Sequence, residues 1–199
     1  MRSSSRVSQY CNRGFTATCT VAGRIPRFGI LLIFAVGISV AYRAASAAVS
    51  ENDVTIAARA LGFMEKPLTG VVRVGIVYES DRPQSFQDAA SLQKIMDRGL
   101  TVGGLSLKPV MVPVGGVAGA NVDLLFLVDG VGARASSVGD AARARQIPCV
   151  TLDIDQVKNG DCAIGIRSEP RVEILVNHEA ASRSGIGFAG AFKMLITEF

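Results

Sequence analysis

The chain has 199 residues, with 21 Lys and Arg against 17 Asp and Glu, one His and no Trp, for a formal net charge of +4. The positive balance is confined to the amino terminus. Residues 1–47 carry six Arg and no acid, so 15 basic residues face all 17 acidic ones in the remainder, which comes to −2. Net charge therefore gives no argument for nucleic-acid binding.

Residues 1–48 read as a secretory signal peptide. A positive, Ser-rich stretch runs to Arg27, and the apolar run Phe28 to Val40 follows. That run has 13 residues, short of the ~20 a bilayer-spanning helix takes. Ala44-Ala45-Ser46-Ala47-Ala48 then offers small residues for cleavage after Ala47 or Ala48. Three other readings stay open: an uncleaved membrane anchor, an Arg- and Ser-rich mitochondrial transit peptide, and a start codon further in. A lipoprotein is excluded, because no Cys follows the apolar run at the cleavage region. The expected location is the periplasm.

Residues 49–199 suit one domain with a sizeable core. Ser50 can cap a helix from Glu51 to about Met64, which Pro67 ends. Val71 to Tyr78 is a β-branched run and predicts a buried strand. Pro83 opens a helix to about Arg98 whose apolar stripe includes Phe86, Ala89, Leu92 and Ile95. Leu105 to Val112 predicts a strand that Pro109 marks as an edge. Val122 to Val128 is the most continuous apolar run after the leader and predicts a central strand. A helix from Ala133 to Gln146, a strand from Pro148 to Leu152 and a helical turn near Asp155 to Lys158 follow. Ala163 to Arg167 and Val172 to Val176 predict two strands joined by the turn Ser168-Glu169-Pro170-Arg171. Glu179 to Ser184 and Phe188 to Glu198 predict helices, the last with Phe188, Phe192 and Leu195 toward the core. Strands alternating with helices predict an α/β fold, a single three-layer α/β sandwich with a mostly parallel sheet and an antiparallel edge hairpin.

Cys11 and Cys19 fall in the leader, which leaves Cys149 and Cys162. An even pair in an oxidising compartment predicts a disulfide; two buried free thiols are the alternative.

Ligands of open parallel sheets bind beyond the carboxyl ends of the strands. Three such ends carry Glu79, Asp129 and Asp153, which would share a rim if their strands are neighbours. Such a rim suits a small-molecule or cation pocket, and its acids equally suit helix caps and turns. Those three segments bring no Lys or Arg, which argues against a phosphate pocket. Gly185-Ile186-Gly187-Phe188-Ala189-Gly190 matches G-x-G-x-x-G, but it follows a helical segment, so it reads as a turn and helix start and not as a dinucleotide site. Gly115-Gly116 and Gly119 lack the Lys-Ser/Thr ending of a P-loop and read as a loop. His178, the sole histidine, follows Asn177 at a helix start, where capping is the simpler role. No catalytic set, metal-ligand set or cofactor motif emerges, so the chain is expected not to be an enzyme.

Two stretches resemble the YfiR-type family of periplasmic proteins. The first runs Ile56-Ala57-Ala58-Arg59-Ala60-Leu61-Gly62-Phe63-Met64-Glu65-Lys66-Pro67 into the strand Val71 to Tyr78. The second is Val172-Glu173-Ile174-Leu175-Val176-Asn177, then Ala180-Ala181 and Ser184-Gly185-Ile186-Gly187-Phe188. Cys149 is similar to a family cysteine, with Cys162 as its partner. Lys66 stands where the family has Trp, and Phe63 is the one aromatic of the helix-one segment Ile56 to Pro67. The resemblance implies a non-enzymatic periplasmic repressor that binds the periplasmic part of an inner-membrane diguanylate cyclase and so restrains cyclic-di-GMP signalling and biofilm formation. It also implies homodimers and a redox-responsive disulfide. The other functions compatible with the sequence are a solute-binding component of an ABC-type transporter and, on weaker grounds, a small exported hydrolase.

Overall fold

A computed structural model describes residues 49–199; the expected leader, 1–48, lies outside the described residues. Helix α1 (Glu51–Leu61) starts where Ser50 accepts a hydrogen bond from the Asp53 N–H while the Asp53 carboxylate accepts one from the Ser50 N–H at 2.8 Å, a reciprocal cap. It stops at Gly62, earlier than Pro67 requires. The following strands and helices are β1 (Gly70–Tyr78), α2 (Pro83–Asp97), β2 (Thr101–Val102), β3 (Leu105–Pro113) and β4 (Leu124–Leu127). Then come α3 (Ala135–Arg145), β5 (Cys149–Thr151), α4 (Ile154–Lys158), β6 (Ile164–Arg167), β7 (Glu173–Val176), α5 (His178–Arg183), α6 (Gly190–Lys193) and β8 (Thr197–Glu198). The Gly115-Gly116 segment is not an open loop but a 3-10 helix, Val114–Gly119.

One eight-stranded sheet runs in the order β2-β3-β1-β4-β5-β6-β7-β8. The five strands β3, β1, β4, β5 and β6 are parallel, as their βαβ connections require. Strand alternation sorts the side chains into two cores. Val72, Val74, Ile76, Leu124, Phe126, Val150, Ile164 and Ile166 face α1 and α2. Leu125, Leu127 and Cys149 face the opposite way, with Val138 and Ala142 of α3. The expected three-layer sandwich is thus observed, with a mostly parallel sheet and an antiparallel β6–β7 hairpin.

The sheet edges correct the sequence reading in two places. The hairpin is not the edge, because β8 pairs parallel to β7 beyond it. The expected helix Phe188 to Glu198 is only α6, and Leu195 is exposed instead of buried. The open edge of β7 is the competing partner: the Phe199 N–H donates to the Val176 carbonyl at 3.0 Å, and Thr197 opposes Leu175. Tertiary pairing overrides local helix propensity there. At the other edge the β2 hairpin covers only the start of β3. The Leu107 N–H points outward, to the Leu100 carbonyl at 3.2 Å, so Pro109 and Pro113 fall at outward positions of the same alternation. Neither has an N–H to offer an incoming strand, which blunts this edge against pairing. Phe86 also departs from expectation: it is half exposed and meets Tyr78 edge-on at 5.3 Å.

Arg73 on β1 holds Asp123 ahead of β4 through a paired contact, Nε to Oδ2 at 2.9 Å and Nη2 to Oδ1 at 2.6 Å, and its own N–H donates to the same carboxylate. Hydrogen bonding from Arg73 holds the Asp123 carboxyl below its ordinary value of 3.8. A carboxyl lowered by folding contributes stability that is fully present above its unfolded value and is lost as pH falls through the folded one. Asp161 is pushed the other way by burial, so its contribution over the same range has the opposite sign. The prediction is therefore differential. Asp123→Asn is expected to melt below the wild type at pH 7, with the gap closing below about pH 4. Thermal melts from pH 7 to pH 3 check this; a gap that does not change with pH contradicts it.

Candidate ligand site at the carboxyl ends of the strands

The chain leaves β1 for β3 and returns to β4 on the other side of β1, so the topological switch point lies between β1 and β4. The carboxyl ends of β4, β5 and β6 lie beside it. They open onto a cavity of about 620 Å³ floored by Leu152, Ile154 and Ile166. Its polar wall combines Asp129 after β4, Asp153 after β5, Arg167-Ser168-Glu169 after β6, and Ser50 and Asp53 from the start of α1. The volume lies within the range of about 300–1,000 Å³ usual for small-molecule sites.

Each wall residue is held by its local structure. Asp153 caps α4, its carboxylate accepting the Asp155 N–H at 3.0 Å. The Asp153 N–H donates to Thr151 Oγ1 at 3.1 Å, and that buried hydroxyl donates to Gln156 Oε1 at 2.9 Å. Arg167 pairs with Glu173 across the hairpin at 2.8 Å, and Arg171 takes the same carboxylate at 2.6 Å. The Glu173 carboxyl is held below its ordinary range chiefly by the Arg171 hydrogen bond. Two guanidinium groups on one carboxylate leave a positive charge on this side of the cavity. Asp53, Asp129, Asp153 and Glu169 bring negative charge around it. The arrangement suits a small polar molecule carrying at least one cationic group, lying on an apolar floor.

Of the three acids expected to share a rim, the structure brings Asp129 and Asp153 together and places Glu79 elsewhere. Glu79 is buried at the end of β1, its N–H donating to Ser85 Oγ at 3.1 Å. Its carboxylate is gripped by both the Nε and Nη2 of Arg134, which also lies 3.5 Å from Asp81. Arg134 comes from the 3-10 turn ahead of α3, so the switch point itself is closed by an ion pair. The sequence missed Arg134, and it missed Ser50, Asp53 and the 167–169 turn as cavity residues. Ser50 is legible only as a helix cap and 167–169 only as part of a hairpin.

The remaining sequence candidates fall away from this cavity. His178 sits after β7, which runs antiparallel to β6, and so lies at the opposite end of the sheet. Asn177 Oδ1 accepts the Ala180 N–H at 2.9 Å, the capping role expected at that position. Gly185 to Gly190 is a turn leading into α6. Among the described residues no group of three or more His, Cys, Asp or Glu is placed to hold a metal ion. The expected disulfide is present: Cys149 and Cys162 are bonded, with Cα atoms 5.1 Å apart. It ties the start of β5 to the approach of β6, around the α4 crossover. No helix of the described residues is long and apolar enough to cross a membrane.

No protein-family model and no curated protein matches the chain. Solved structures do. An ABC domain from Streptococcus pneumoniae in complex with L-Trp superposes with a TM-score of 0.52 at 11% identity, covering 71% of this chain and 58% of that one. A conserved domain protein from Vibrio cholerae O1 biovar El Tor gives 0.52 at 16% identity, covering 74% and 59%. A ligand-free, open substrate-binding protein with adhesive properties from Clostridium difficile gives 0.49 at 12% identity, covering 76% and 60%. At these identities the likeness to the first two is one of fold: a mixed α/β sandwich. The chain spans about three fifths of the length of the structures it matches.

Proposed function

We propose that this chain is an exported, non-catalytic regulator that restrains a membrane-bound signalling protein, such as a diguanylate cyclase, by binding its periplasmic part. The observation that carries this reading is that the two stretches resembling the YfiR-type family, far apart in sequence, meet in space. Met64 bridges to Phe188, the Glu65 N–H donates to the Gly187 carbonyl at 2.8 Å, and the Ala189 N–H donates to the Phe63 carbonyl at 3.0 Å. Phe63 stacks on Phe192 with ring centroids 4.5 Å apart. The corner they form leaves Phe63 half exposed and Met194 and Leu195 largely exposed. Large apolar side chains exposed together at one corner are the usual mark of a protein contact. The disulfide supports action in an oxidising compartment. Deleting the gene is expected to raise cyclic-di-GMP and surface attachment, with complementation by the wild type but not by Leu195→Asp. Unchanged cyclic-di-GMP in the deletion strain would count decisively against a repressor.

A second reading, a solute-binding component of an ABC-type transporter, is favoured by the cavity at the strand ends and by the likeness to an ABC domain in complex with L-Trp. Uptake of one solute lost on deletion, with cyclic-di-GMP unchanged, would select it.

A further inference from the structure

We propose that a second cavity, at the opposite end of the sheet, binds a small apolar anion, an aryl or alkyl carboxylate. It encloses about 340 Å³ at the amino-terminal ends of β1, β4 and β5, with Met64, Leu68, Ile147 and Ile186 as apolar walls. Two charged side chains line it, Lys66 and Asp123. Asp123 is already neutralised by Arg73. Lys66 is exposed and has no ion-pair or hydrogen-bond partner among the described residues. The uncompensated charge of the cavity is therefore positive, and its walls are greasy, which selects an anion with an apolar body.

Gln146 supplies the second polar group and an independent reason to read the cavity as a site. It ends α3 with φ 52°, the one non-glycine residue in the left-handed region among those described. Glycine is the residue that this helix-ending position favours. The helix end needs nothing from the side chain, because backbone N–H groups of Gln146 and Ile147 already reach the Arg143 and Ala142 carbonyls, each at 3.1 Å. What Gln adds over Gly is a carboxamide at the mouth of the cavity. It lies over Gly185, where an added Cβ would stand 3.6 Å from Gln146 Nε2. The Gln146 amide and the Lys66 ammonium both line this cavity and are the side-chain donors it offers a carboxylate. Position, walls and donors all differ from those of the strand-end cavity; Met64 is shared with the corner on which the regulatory reading rests, but the donors Lys66 and Gln146 are not part of that contact.

The test uses 2-naphthoate as probe, titrated calorimetrically into the full chain, with neutral 2-naphthalenemethanol in parallel. Saturable one-to-one binding of the acid is expected. Lys66→Ala is expected to weaken it by about tenfold or more, the loss of one charge-assisted hydrogen bond, and to leave the alcohol unaffected. Gln146→Gly separates binding from folding: its melting temperature is expected to rise while its affinity for the acid falls several-fold. The conservative Lys66→Arg is expected to keep the binding. Absence of saturable binding, or equal affinity of wild type, Lys66→Ala and Gln146→Gly for the acid, overturns the proposal.

Discussion

Gly139→Ala is expected to lower the melting temperature by about 10 °C, a destabilisation of roughly 3–4 kcal/mol. Elsewhere in a helix the same change is favourable, because Ala is the better helix former. At position 139 an added Cβ would stand 2.2 Å from the Asp161 carbonyl oxygen and 3.0 Å from its carbonyl carbon. Both atoms are backbone, so no rotamer change relieves the contact. Helix α3 must back away from the crossover between α4 and β6, and that also stretches the Arg143 Nη1 hydrogen bond to the Gly160 carbonyl, now 2.8 Å. Val138 and Ala142, fully buried on either side of Gly139, would lose packing at once. A thermal melt of the variant at neutral pH checks the value. A stability equal to or above that of the wild type would mean that α3 does not sit where the fold places it.

Removing the disulfide is the second large effect. Cys149 and Cys162 are 13 apart in sequence, and closing a loop of this size contributes about 3 kcal/mol in the chain-entropy model. The paired Cys149→Ala, Cys162→Ala variant, or wild type held reduced, is expected to melt about 10 °C lower. Both cysteines are buried against the α3 face, so alanines also leave small voids. The two large effects share a segment: Cys162 directly follows Asp161, the residue that crowds Gly139. Combining Gly139→Ala with the disulfide deletion should therefore cost less than the sum of the separate losses, because the first variant already loosens the loop that the disulfide pins.

The sequence yields most of the fold because its local signals agree with tertiary packing over the central strands. Val122 to Val128 is apolar at every position but Asp123, and β4 is central and buried on both faces. Pro83 opens α2, Ser50 and Asp53 cap α1, and Asn177 caps α5, each through chemistry that acts within three or four residues. The failures lie where distant residues decide. Nothing local to Thr197 reveals that the open edge of β7 awaits a partner. Nothing near Glu79 reveals that Arg134, 55 residues on, neutralises it. Adjacent strands do not suffice for the three-acid rim: β1, β4 and β5 are neighbours, yet the switch point closes on the Glu79–Arg134 ion pair. The cavity beside it draws on α1 and on the β6–β7 turn, which precede and follow the central strands, so no sequence window contains it.

The proposed regulatory role requires docking on a membrane signalling protein through the corner where Phe63 stacks on Phe192. The most direct measurement is capture from the detergent-solubilised inner membrane of the native host, with wild type and Leu195→Asp side by side. Leu195 is 74% exposed, so the substitution should leave the fold and melting temperature unchanged. Wild type is expected to retain a membrane protein with a periplasmic part and a cytoplasmic diguanylate cyclase domain, and Leu195→Asp is expected not to. Equal retention of that protein by both would contradict the assigned surface, and its absence from the wild-type capture would contradict the regulatory role itself.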